Sequence, residues 1–88
     1  PRQERAYAAL LQRAIDMIAT QPVRPASRDR AELAADVRSF HLRHAARRRG
    51  AAAHLLFYRA APTDPRIVIL RVLHEAMDPA RHMEDTPG

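Results

Sequence analysis

Cysteine is absent from the 88 residues, and so is lysine: all 15 basic side chains are arginine. The first absence excludes a disulfide framework and thiolate metal sites, and it suits a cytoplasmic protein. The second leaves arginine as the one permanently charged cation, set against 10 acids for a formal charge of +5. Abundant arginine and alanine also fit the codon bias of a GC-rich genome, so composition names no partner. The charge still favours anionic surfaces, either nucleic acid or an acidic protein. No apolar window approaches the roughly 20 residues of a membrane span, so no membrane partner is expected. No signal peptide and no internal repeat is visible. A chain of this length buries somewhat over ~60% of its unfolded surface, enough for one domain (1–88) with one sheet on one helix layer.

What is present begins with a helical period. In QERAYAALLQRAIDMIAT (3–20), Tyr7, Leu10, Leu11, Ala14, Ile15 and Ile18 form one apolar stripe. Arg5, Gln12, Arg13 and Asp16 take the other face, and Gln21-Pro22 ends the helix. Residues 21–31 read as a proline-broken polar connection and 32–36 as a short helical turn. VRSFHLRH (37–44) alternates, with Arg38, Phe40 and Leu42 on one face and Val37, Ser39, His41 and Arg43 on the other. That predicts a strand with one better-buried side. AARRRGAAA (45–53) reads as a loop. HLLFYRA (54–60) is a continuous apolar run, APTDP (61–65) a turn, and RIVILRVLH (66–74) a β-branched run, so both runs are expected to be central strands. Residues 75–88 form a C-terminal tail that ends in a frayed MEDTPG. The order helix–strand–strand–strand predicts an α+β fold, a helix layer on a small antiparallel sheet. Phe40, Phe57, Ile69, Leu70, Val72 and Leu73 are the expected core, with Met77 anchoring the tail.

Several blocks together resemble the ParE branch of the ParE/RelE toxin superfamily. They are Glu32-Leu33, Val37-Arg38-Ser39-Phe40, His54-Leu55-Leu56-Phe57-Tyr58-Arg59 and Ile69-Leu70-Arg71-Val72-Leu73-His74-Glu75, with Met77-Asp78 and Arg81-His82. The helix from Glu4 through Ile15 is similar to the family's second helix, and the whole resemblance covers residues 3–83. Relatives begin with a strand and a first helix that pairs with this one, so the resemblance predicts a truncated chain with part of the stripe uncovered. The loop 45–53 is longer than in many relatives.

The resemblance implies a toxin of a type II toxin–antitoxin module that traps DNA gyrase on cleaved DNA without being an enzyme or needing a cofactor. Its implied partner is a ParD-like antitoxin whose flexible acidic segment folds onto the toxin, a match to the +5 charge. DNA is then met only through the antitoxin. The sister branch implies an alternative, an mRNA-cleaving toxin of RelE type. For that chemistry the chain has no lysine, one tyrosine on the helix stripe (Tyr7) and one in an expected central strand (Tyr58). A variant would use His74 and His82 as acid and base, with Arg71 or Arg81 on the phosphate. A non-toxic protein-interaction domain, or an inactive remnant, is the third reading.

The expected antitoxin or target contacts are Arg71, His74, Glu75, Met77, Asp78, Arg81 and His82, with Arg47, Arg48 and Arg49 in the loop. Each has a plainer reading. A histidine closing a strand most often satisfies nearby backbone. An arginine triplet without aromatic platforms fits a solvated loop first and nucleic acid last. Arg71, alone in an apolar strand, needs an acid or carbonyls, and a partner's carboxylate is the expected one. His41 and His44 would face opposite ways on a strand, and no metal site is expected.

Overall fold

Helix α1 (Arg2–Thr20) forms where the 3.6-residue period predicts it. The computed structural model describes residues 2–48, 50 and 52–83. Leu10, Ala14 and Ile18, four residues apart, are buried, while Leu11, Ile15 and Met17 pack at the edges of the same core. Each large aliphatic side chain fully buried this way contributes about 1.5–3 kcal/mol. Arg13, expected on the solvent face, instead donates from Nε to the Ala45 carbonyl (3.0 Å), because the chain after the second strand passes beside it. At the helix end, the Met17 carbonyl accepts both the Gln21 amide (3.0 Å) and the Arg24 guanidinium (2.6 Å), which ties the following connection back to α1.

Strands β1 (Arg28–Asp29), β2 (Val37–His41), β3 (His54–Arg59) and β4 (Val68–His74) form one antiparallel sheet in that order. The α+β expectation therefore holds, with four strands rather than three. The connection 21–31, read from sequence as proline-broken and polar, also contains β1, paired with Ser39 and Arg38. Residues 32–36 make turns rather than a helix, and Asp36 adopts φ 62, a left-handed conformation that aspartate tolerates.

Three further expectations need correction. The strand predicted over 37–44 ends at His41, and Leu42–His44 turn into a 3₁₀ helix that carries Leu42 into the core. Both faces of β2 are covered, since Val37 and Ser39 are as buried as Phe40. And β4 is the sheet's edge, not a central strand: Ile69 is 41% exposed, Val68 is also exposed, and Leu70 and Val72 are half-buried. Phe40, Phe57 and Leu73 do lie in the interior. The tail, for which no element was expected before the frayed MEDTPG, contains α2 (Pro79–Met83); residues 84–88, with most of MEDTPG, lie outside the described residues.

The register sorts side chains by face. Phe40, Leu56 and Tyr58 join Leu10, Ala14 and Ile18 in the core beneath α1. Ser39, Phe57 and Arg71 are paired in a row across β2, β3 and β4 on the opposite face, next to the row His41, Leu55 and Leu73. On that far face the Arg30 guanidinium lies 5.3 Å over the Phe57 ring.

Candidate functional site

Sequence reasoning placed the site on the tail and on the arginine loop, and the structure brings the start of the tail and the end of the loop together at one end of the sheet. His54 and His74 are cross-strand partners with ring centroids 5.3 Å apart, and Tyr7 of α1 packs edge-on against His54 (5.9 Å). The Glu75 amide donates to the Ala53 carbonyl (2.8 Å), tying the tail to the end of loop 45–53. Arg47 and Arg48 are exposed beside α1 and line a groove of about 500 Å³ with Ala6, Tyr7, Ala9 and Arg13. Arg49 lies outside the described residues.

The tail itself is held by local bonds. His74 Nδ1 accepts the Ala76 amide (3.0 Å), the satisfied-backbone role of a histidine at a strand end, and Asp78 Oδ1 accepts the Ala80 amide (3.1 Å) at the start of α2. Glu75 Oε2 lies 2.7 Å from His41 Nε2. His41 Nδ1 accepts the Arg43 amide (3.0 Å), so the bonding pattern selects the tautomer with its proton on Nε2, donating to Glu75. That bond holds the Glu75 carboxyl below its ordinary range. Met77, expected to anchor the tail, is 46% exposed. Arg81 is exposed and His82 half-buried.

Arg71 and His74 do not converge. Three positions apart on one strand, they project to opposite faces: His74 toward His54 and α1, Arg71 into the row with Phe57 and Ser39. Arg71 Nε and the Ser39 hydroxyl are buried without a hydrogen-bond partner among the described residues. A buried donor left unpaired costs about 1–3 kcal/mol.

The far face holds a second cluster that sequence reasoning missed. Arg28, Arg30, Ser39, His41, Arg43 and His44 line a pocket of about 420 Å³. Burial, reinforced by the positive charges of Arg43, Arg24 and Arg28, lowers the His44 pKa from its ordinary value. The alternation that groups Ser39, His41 and Arg43 was visible in sequence. Arg28 and Arg30 were not placed beside them because β1 is too short to show a period. Among the described residues no three His, Asp or Glu side chains gather as a metal site would need, and no helix is long and apolar enough to cross a membrane.

An amphipathic helix lies over a small antiparallel sheet, with a basic loop and a tail at one end of that sheet. The sequence model of the ParE toxin of type II toxin–antitoxin systems (parDE) matches residues 1–79, and the chain belongs to that family. Its partner class is accordingly an antitoxin. Neither a curated protein nor a solved structure matches the chain.

Proposed function

We propose that this toxin acts by binding DNA gyrase and holding it on cleaved DNA, with no chemistry of its own, and that a ParD-like antitoxin neutralises it through an acidic segment. Membership of the ParE family over residues 1–79 is the observation that carries the reading. The geometry supports binding over catalysis. Tyr58 is fully buried and its hydroxyl is engaged with the Pro22 carbonyl (2.5 Å), which leaves it no role at a surface phosphate. Arg71 and His74, one of the pairings that the ribonuclease variant would use, face apart. A basic domain with exposed arginines at one end suits an acidic chain that orders as it binds.

The test is expression in a bacterial host, alone and together with the neighbouring gene. The expected result is loss of viability with accumulating chromosome breaks, both reversed by co-expression. Arrest with intact chromosomes and cleaved mRNA would overturn the gyrase target in favour of the RelE-type mechanism.

A further inference from the structure

We propose that the pocket lined by Arg28, Arg30, Ser39 and Arg43, on the sheet face away from α1, is a carboxylate-binding site for an acidic peptide. This deepens the antitoxin reading and rests on it for the source of the peptide, but the site stands on its own geometry.

Four observations carry it. First, three arginines from three separate segments (β1, the turn after it, and the 3₁₀ helix) converge on one pocket. Arg28 and Arg43 are exposed, and their guanidinium groups have no acid partner among the described residues. Such convergence of like charge is unfavourable unless something anionic answers it. Second, the Ser39 hydroxyl, on a residue only 1% exposed that lines the same pocket, has no hydrogen-bond partner among the described residues. A native fold seldom leaves a buried hydroxyl unpaired without use for it. Third, the rim already accommodates carboxylates from this chain. Glu75 is seated on His41 at 2.7 Å and Glu32 on Arg30 at 2.7 Å, so the local donors suit that group. Fourth, among the described residues the rings lining the pocket are the imidazoles of His41, already engaged with Glu75, and His44, with no phenylalanine, tyrosine or tryptophan as a broader platform for a base. Sites for single-stranded nucleic acid pair their cations with such platforms, so the chemistry favours an acidic peptide over a phosphodiester chain. The low pKa of His44, set partly by Arg43 and Arg28, reports the same positive field.

The experiment titrates the protein with hexaglutamate, with a six-nucleotide oligothymidylate and with inorganic phosphate in separate arms, followed by amide and imidazole NMR shifts. The expected result is saturable hexaglutamate binding, with the largest shifts at Ser39, His41, Arg43 and His44. The double variant Arg28→Ala/Arg43→Ala should weaken it about tenfold or more, the loss of one or more charged hydrogen bonds. The matched variant Arg5→Ala/Arg66→Ala, two exposed arginines outside the pocket, should change it less than about threefold. Both pairs are exposed, so an unchanged thermal melt checks that folding is intact. Shifts confined to the 47–48 loop, equal loss in the two double variants, or tighter binding of oligothymidylate than of hexaglutamate would each overturn the proposal. Because hexaglutamate stands in for the antitoxin, failure here leaves the gyrase test untouched. Rescue by the neighbouring gene that survives Arg28→Ala/Arg43→Ala would overturn this site alone.

Discussion

Arg71 Nε and the Ser39 hydroxyl are buried polar atoms with no hydrogen-bond partner among the described residues. The sequence marked Arg71 as odd because it interrupts an apolar strand, and the structure gives that oddity a face and a missing acceptor. Ser39 was not marked, since a serine in an alternating strand reads as ordinary until both faces prove to be covered. If Arg71 is kept for a partner's carboxylate, Arg71→Leu should melt at the same or a higher temperature while antitoxin affinity falls about tenfold, one charged hydrogen bond. A lowered melting temperature with unchanged affinity would make Arg71 structural. His44 supplies a pH prediction. Its folded pKa lies below the ordinary 6.5, so in the window beneath that value the unfolded chain binds more protons than the folded one. Stability should therefore fall as pH drops through that window, seen as a lower urea midpoint at pH 5.5 than at pH 7.5, and His44→Gln should flatten the difference. Glu32, Asp64 and Glu75, with lowered pKa values, should add a separate loss only in the acid range below about 4.5.

Elements were legible where periodicity was long enough to decide. The stripe from Tyr7 to Ile18 spans three turns and fixed α1 almost to the residue, and the unbroken apolar run of β3 marked a strand covered on both sides. Where the reading failed, two structures shared one pattern. Leu42 points inward both as the next alternating strand residue and as the first residue of a 3₁₀ turn, so alternation alone could not end β2 at His41. The run VILRVL is apolar enough for a sheet centre, but composition says nothing of what lies beyond a strand, and β4 is an edge. The connection 21–31 looked loose yet is pinned from beneath. Arg38 Nε donates to Ser27 Oγ (2.5 Å), and the Tyr58 hydroxyl lies 2.9 Å from the same oxygen while donating to Pro22. Tyr58→Phe should therefore cost about 1–2 kcal/mol, a fall of about 4–8 °C in melting temperature per kcal/mol for a domain of this size. An unchanged thermal melt would mean that packing, not this network, positions the connection.

At the scale of the molecule, the two faces of the sheet divide the work. One is occupied by α1 and builds the core; the other gathers arginines over Phe57 and the Ser39 pocket, and the tail leaves from the end where loop 45–53 also arrives. The contacts expected from sequence are thus partly brought together: His74 and Glu75 meet the end of the loop, while Arg71 belongs to the far face. The tail makes local bonds and exposes Met77, Asp78 and Arg81, as a surface held out for a partner would. Deleting residues 76–83 should then reduce toxicity more than it reduces antitoxin binding. Equal loss of both, with a lowered melting temperature, would make the tail structural. The most direct test of the whole account is purified DNA gyrase incubated with the protein, scored for supercoiling and for DNA left cleaved after the enzyme is denatured. The account predicts inhibited supercoiling with cleaved DNA accumulating in proportion to toxin, reversed by antitoxin; unaltered supercoiling and no cleaved DNA at saturating toxin would contradict it.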